Sequence, residues 1–239
     1  MGFRFKAAAV ASKAGSFLRW MAQPPACRDC NRMLEPLEGI GPGFPYLCPS
    51  CHATLPWRVE SRAQSAEGSL DGVWAAWRYE DPVRHWIWAL KYGRHDGWAV
   101  CLAALSARRG GDVADHAWDF AVPVPLHPRR LRQRGFNQSL LLAHHWRQAR
   151  LAAGLSVPRI APNMLLRTRH TRPQMELDAV ERQANVAGAF ACARSLGIRG
   201  ARVLLVDDVM TTGSTLIQCA MALKASGARS VGALVLAKS

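Results

Sequence analysis

Two adjacent carboxylates, Asp207 and Asp208, directly follow the apolar run Val203-Leu204-Leu205-Val206, and Thr211, Thr212, Gly213, Ser214 and Thr215 come next. This is a strand that delivers acids at its C-terminal end, then a hydroxyl-rich turn that opens a helix. Open α/β sheets bind their ligands beyond that end of the strands. Amides and hydroxyls at a helix N-terminus suit a phosphate dianion, and Gly213 lets the backbone come close. Asp207 and Asp208 can accept hydrogen bonds from vicinal sugar hydroxyls, or hold a divalent ion through them. Such charge-assisted bonds contribute about 1.5–3 kcal/mol each. No Lys follows Gly213, which excludes the GxxxxGK[ST] loop of nucleotide triphosphatases. An ordinary strand–loop–helix junction would account for Thr and Ser as caps, but not for two acids closing a buried strand.

A second cluster is metal-like. Cys27-x-x-Cys30 and Cys48-x-x-Cys51 are separated by 17 residues. Each two-residue gap lets one tight turn aim two sulfurs at one ion, and four thiolates complete a tetrahedral, closed, structural Zn2+ site. Binding supplies about 10–16 kcal/mol to a module with too little core to fold alone. His52, next to Cys51, is a bystander in this reading. Cys101, Cys192 and Cys219 lie singly in apolar surroundings and read as small core residues.

The elements that must position these groups fall into three zones. Residues 1–26 form a basic, Ala/Ser-rich amphipathic helix ending before Pro24-Pro25. Residues 27–58 are the cysteine module. A domain of alternating strands and helices covers 70–239. Strands are expected at 73–79, 120–124, 203–206 and 230–236. Helices are expected from Asp81-Pro82 to about Lys91, and at 97–107, 137–153, 178–185 and 214–226. Leu140, Leu141, Ala143 and His144 would form the apolar face of the helix at 137–153, and Gly227 would stop the last helix. Strand–helix alternation predicts an α/β fold, a mostly parallel sheet with helices on both faces.

The chain has 239 residues, of which 49% are hydrophobic, and a formal net charge of +14. That charge favours polyanionic partners: phosphates, nucleic acid or an anionic surface. No apolar run approaches the roughly 20 residues needed to cross a bilayer. AAAV is too short for the centre of a secretory signal, and Lys6 stands where myristoylation wants Ser or Thr. Paired cysteines without a signal segment imply a reducing compartment, so a cytoplasmic protein is expected.

Beyond the acids, Val122-Pro-Val-Pro-Leu-His-Pro-Arg-Arg-Leu-Arg-Gln-Arg-Gly-Phe-Asn-Gln138 reads as a strand followed by a Pro-rich turn carrying four Arg. Arg167-Thr-Arg-His-Thr-Arg-Pro-Gln174 and Asn185-Val-Ala-Gly-Ala-Phe190 follow. The stretch Val206-Asp-Asp-Val-Met-Thr-Thr-Gly213 is similar to the phosphoribosyl pyrophosphate (PRPP) signature of type I phosphoribosyltransferases. Together with the other segments and the cysteine ribbon, it resembles the ComF family over about residues 20–238. The resemblance implies a type I phosphoribosyltransferase fold with an N-terminal double-cysteine zinc ribbon. It implies that Asp207 and Asp208 bind ribose hydroxyls while Thr211, Thr212, Gly213, Ser214 and Thr215 take the 5′-phosphate, with Mg2+ accompanying PRPP. Arg129, Arg130 and Arg134 become candidates for the diphosphate, because guanidinium forks match phosphate oxygens. Lys91 is a further diphosphate candidate, and as a C-terminal helix Lys it equally suits the helix dipole. Arg167, Arg169, Thr171 and Gln174 fall in the flexible loop that closes over the site. The family's link to DNA uptake is associational.

Three functional readings follow. One is phosphoribosyl transfer to an acceptor that the sequence does not identify. Another is a non-catalytic PRPP sensor whose arginines grip single-stranded DNA, with Phe136, His127 and His170 for stacking. The third is an assembly role, with the ribbon docking DNA-uptake or recombination proteins. The nine Trp residues, Trp57, Trp74, Trp77, Trp86 and Trp88 among them, would then serve an interface, although core packing is their commoner use.

Overall fold

A computed structural model describes residues 26–34, 47–57, 68–92, 97–109, 117–169, 181, 185–193 and 197–239. The N-terminal helix expected over 1–26 and most of the one at 178–185 lie outside these residues. The chain divides into two compact units, Met1–Leu55 and Pro56–Ser239. The first contains the short helix α1 (Pro49–Ala53), which begins between the second pair of cysteines.

The second unit is built on one five-stranded parallel sheet. Its strands are β1 (Gly72–Arg78), β2 (Phe120–Pro123), β3 (Arg159–Ile160), β6 (Arg202–Met210) and β7 (Ser230–Lys238). They lie in the order β1-β7-β6-β2-β3. Continuous apolar runs such as Val203–Val206 and Val231–Leu236 are buried on both faces, as a covered parallel sheet requires. Two short strands, β4 (Leu165–Arg167) and β5 (Phe190–Cys192), pair antiparallel as a separate sheet. They are held to the body by apolar packing, because Leu165 and Phe190 join the same buried cluster as Val203, Leu205, Leu216 and Cys219.

The helices are α2 (Val83–Tyr92), α3 (Gly97–Arg109), α4 (Pro128–Arg134), α5 (Gln138–Ala152) and α6 (Ser214–Ala225). Leu216, Cys219, Ala220 and Leu223 of α6 cover the odd-numbered residues of β6 and β7. α5 packs on β2 and β6, and α3 packs on α5. The strand order takes the chain from β2 to β3 in one direction and from β6 to β7 in the other, and parallel crossovers are right-handed. The helices α5 and α6 therefore lie on opposite faces. The divergence opens a crevice between the C-terminal ends of β2 and β6.

Three expectations need correction. The segment after β2 is not merely a turn, since residues 128–134 form α4. His127 caps it by accepting from the Arg129 amide at Nδ1, Pro128 takes the first turn, and Gly135 ends it in the left-handed region at φ 81°. The buried face of α5 is Ser139, Leu142, Ala143, Trp146 and Arg150, whereas Leu140 and Leu141 are only partly buried and His144 is exposed. Strand β6 also runs four residues past Val206. β7 continues to pair with it, opposing Asp207 with Val235 and Val209 with Ala237, after β2 has stopped at Pro123. The expected stop of α6 is observed: Gly227 (φ 98°) follows the last turn, and the amides of Gly227 and Ala228 bond to the carbonyls of Lys224 and Leu223.

Most of the described Trp side chains serve the core. Trp74, Trp77, Trp86, Trp98 and Trp146 are buried, while Trp88 is 55% exposed. Trp74 and Trp118 meet edge-on with centroids 5.7 Å apart, directly over Gly232. A Cβ on Gly232 would lie 2.6 Å from both rings. Gly232→Val is therefore expected to destabilise the protein by about 1–3 kcal/mol through overpacking, measured by urea denaturation. A variant as stable as wild type would show that the two indoles yield freely.

Candidate functional site

The crevice between β2 and β6 is a cavity of ≈ 560 Å³. Asp207, Asp208, Thr211, Gly213, Ser214 and Thr215 line it from β6 and its turn. Arg130 and Arg134 line it from α4, Lys91 and Tyr92 from the end of α2, Gln138 and Ser139 from the start of α5, and Arg167 from β4. Sequence-distant groups thus meet where one strand outlasts its neighbour. Thr212 lies beside this lining, with its hydroxyl 2.9 Å from that of Ser214. Arg129 is exposed and outside the lining. Arg169 is engaged elsewhere, donating to the carbonyls of Asn185 (3.2 Å) and Ala187 (2.7 Å). Thr171 and Gln174 lie outside the described residues.

The acids are held from several directions. Asn137 caps α5 by accepting from the amides of Ser139 and Leu140, and its own Nδ2 donates to the Val124 carbonyl. That fixes the first turn of α5 against the end of β2. Ser139 Oγ then donates to Asp207 Oδ1 at 2.9 Å, and the Asp208 amide donates to the same oxygen. Lys91 Nζ stands 2.9 Å from Asp208 Oδ1, in a pair whose side chains are only 21% and 6% exposed. Asp208 Oδ2 is buried without a hydrogen-bond partner. Burial opposes the Lys91 charge, but Asp208 and then Asp207 outweigh it and raise Lys91 above its ordinary value. Burial, and next the charge of Asp208, pushes Asp207 up to about 7, against the pull of Ser139, the Asp208 amide and Lys91.

The opposite wall is cationic. Arg130 and Arg134 stand one turn apart on α4, hence on one face. Arg134 lies over the Tyr92 ring, 5.2 Å from its centroid. Arg167 stacks over Phe190 at 5.3 Å. Burial, then the nearby Arg130 charge, lowers Arg167 from its ordinary value. Two neighbouring cations of this kind favour an anion between them. The turn completes the site. Gly213 caps α6 with φ 79° and brings no side chain to the first helical turn. A Cβ there would lie 2.5 Å from Met210 Cε. Carboxylates for hydroxyls, a hydroxyl-bearing turn at a helix start and facing guanidinium groups together suit a phosphorylated polyol.

The sequence reading missed Ser139, Gln138, Tyr79 and Tyr92 as lining residues. Asn137 before an amphipathic run was a visible cap signal, but nothing local tied Ser139 to an acid 68 residues away.

In the other unit the Sγ atoms of Cys27, Cys30, Cys48 and Cys51 all lie within 4.8 Å of one another, and Cys30 and Cys48 are 3.7 Å apart. Four thiolates about 2.3 Å from one ion would stand roughly 3.8 Å apart, so the set fits a metal. The Cys51 backbone amide, outweighing burial, lowers the Cys48 thiol to about 7.

A family model described as "Phosphoribosyl transferase domain" matches residues 164–239, the stretch carrying the acids and the turn. DNA utilization protein YhgH of Salmonella typhimurium is 33% identical over 199 residues, 77% of this chain and 81% of that protein. The chain belongs to the ComF family. Competence protein F of Haemophilus influenzae is 29% identical over 223 residues, 89% of this chain and 90% of its own. The Escherichia coli K12 YhgH protein is 32% identical over 199 residues, again 77% and 81%. The parallel sheet and its flanking helices form a phosphoribosyltransferase fold, as expected for this ComF-family chain. Among the described residues no helix is long and apolar enough to cross a membrane.

The Asp207 environment gives a stability test. A folded carboxyl at about 7 keeps its proton where an unfolded Asp, near ~3.9, has lost it. The folded state then binds more protons than the unfolded one, so stability falls as pH rises through that window. Asp207→Asn removes this loss. Relative to wild type it is expected to gain about 1 kcal/mol or more between pH 5 and pH 8, measured by urea denaturation at each pH. A gap between the two proteins that does not change with pH would contradict the assignment.

Proposed function

We propose that this protein binds PRPP or a closely related ribose 5-phosphate in the β2–β6 crevice and serves transfer of the phosphoribosyl group. The observation that carries the reading is the convergence of Asp207, Asp208, the Thr211–Thr215 turn, Arg130 and Arg134 on one cavity. In this reading the turn takes the 5′-phosphate, the acids take the ribose hydroxyls, and Arg130, Arg134 and Arg167 face the diphosphate. In the transfer the C1–oxygen bond breaks and its electron pair leaves with the diphosphate. An acceptor lone pair then forms the new bond at C1. Asp207 and Asp208 hold the ring while positive charge develops on it, and the guanidinium groups balance the charge on the departing diphosphate. The partnerless Asp208 Oδ2 and its neighbour are hard donors suited to Mg2+, which would neutralise part of the leaving charge when carried in with PRPP.

We take residues 27–58 as a structural zinc ribbon and 70–239 as the ribose-phosphate domain. None of the seven cysteines forms a disulfide, which suits a reducing compartment, and we place the protein in the cytoplasm. The names of its relatives support a role in competence or DNA utilization, and we take DNA-uptake or recombination proteins as its partners.

A second reading has its own support. α4 divides its arginines. Arg130 and Arg134 line the cavity, while Arg129 and Arg132 are exposed outside it, in a chain of net charge +14. The outer pair suits the backbone of single-stranded DNA, and the crevice would then report PRPP without turning it over.

Titration calorimetry distinguishes these roles. Asp207→Asn is expected to weaken ribose 5-phosphate binding at least about tenfold. Arg130→Ala with Arg134→Ala should weaken PRPP more than ribose 5-phosphate. Arg129→Ala with Arg132→Ala should reduce single-stranded DNA affinity and its salt dependence alone. Absence of ribose-phosphate binding by wild type would overturn the proposal. Failure of every candidate acceptor to bring about diphosphate release would favour the sensor. Elemental analysis should find one zinc per chain, lost in Cys48→Ser; zinc-free wild-type protein purified without chelator would reject the ribbon.

A further inference from the structure

Lys91 was a candidate for the diphosphate, yet its ammonium sits on an acid. It comes from the last turn of α2, reaches Asp208 Oδ1 at 2.9 Å and is itself largely buried. Asp208 lines the cavity, but its side chain is 6% exposed and Oδ2 has neither solvent nor a hydrogen-bond partner. Hydroxyls and metal ions thus meet a carboxylate already covered on one side by a cation. The neighbouring Asp207 has its own donors, Ser139 Oγ and the Asp208 amide. Two adjacent buried carboxylates repel one another, and among the described residues Lys91 is the cation paired with them at salt-bridge distance.

We infer that Lys91 is a resident counter-cation: it occupies Asp208 while the crevice is empty and must be displaced before a divalent metal ion or a sugar hydroxyl can use that carboxylate. The arrangement suits displacement. A lysine ammonium is a single point charge on a flexible four-carbon stem, unlike the rigid fork of an arginine, and can leave one oxygen without dismantling a bidentate pair. Lys91 is a positioning residue in this account. It holds Asp208 in place without a metal, and it sets a threshold for ligands that compete for the same oxygen. Only the nature of the displacing ligand depends on the ribose-phosphate reading; the occupancy itself does not.

The test uses Mn2+ alone, with the full-length, ligand-free protein, followed by electron paramagnetic resonance of free Mn2+. Wild type is expected to bind Mn2+ weakly at the acid pair, and Lys91→Met at least tenfold more tightly. Lys91→Gln is a second neutral variant in case the first folds poorly, and thermal unfolding checks both. Lys91→Arg, which keeps the charge, should bind Mn2+ no more tightly than wild type. Lys91→Met combined with Asp208→Asn should lose the gain, which separates the acid pair from the cysteine module. Equal Mn2+ affinity in wild type and in either folded neutral variant would overturn the inference, as would a gain that survives Asp208→Asn. Because no sugar phosphate is present, this result is independent of whether the protein binds PRPP.

Discussion

Two carboxyl groups placed side by side towards the C-terminal end of a buried strand are the constraint around which the second unit is arranged. Both carboxylates lose hydration, and burial together with the charge of Asp208 raises the cost of ionising Asp207. Several elements respond. The first turn of α5 contributes Ser139 Oγ, the end of α2 contributes the Lys91 ammonium, and β6 itself contributes the Asp208 amide. Even so, Asp207 stays near neutrality, at about 7. A site balanced in this way is prepared for a ligand that brings hydroxyl donors or positive charge.

Unequal strand lengths make the site possible. β2 ends at Pro123 while β6 continues to Met210 along β7, so the residues beyond Val206 have a paired edge on one side and a crevice on the other. Because the connections after β2 and β6 turn to opposite faces, one wall of the crevice is an arginine-bearing helix and the other a glycine-capped turn. Catalytic versatility in this kind of sheet resides in such connections, with the apolar strands below as a rigid base.

Much of this was legible in the sequence where the signal is local. The run Val203–Val206, the acids after it, Gly213 and Gly227 each mark their structural role by type and position. The cysteine pairs do the same through spacing. Signals that depend on packing were not legible. Consecutive leucines at 140–142 fit more than one helical stripe, and only the packing of α5 on β2 and β6 selects Leu142, Ala143 and Trp146. α4 has no apolar period to reveal it, since it is mostly arginine. The extension of β6 through two acids depends on backbone pairing with β7, which hydropathy does not report. Lys91 could be placed at a helix end, but its partner lies more than a hundred residues away.

The antiparallel pair β4–β5 carries Arg167 to the cavity without belonging to the main sheet. It rests on α6 and the strands chiefly through Leu165, Phe190 and their apolar neighbours, with the Gly188 amide beside β5 donating to Gln218 Oε1 of α6. The acids and the turn, by contrast, are continuous with the hydrogen-bonded ladder of β6 and β7. One side of the crevice is therefore fixed by backbone pairing and the other chiefly by packing. Arg167 thus owes its place in the cavity to side-chain packing, whereas the acids owe theirs to the backbone.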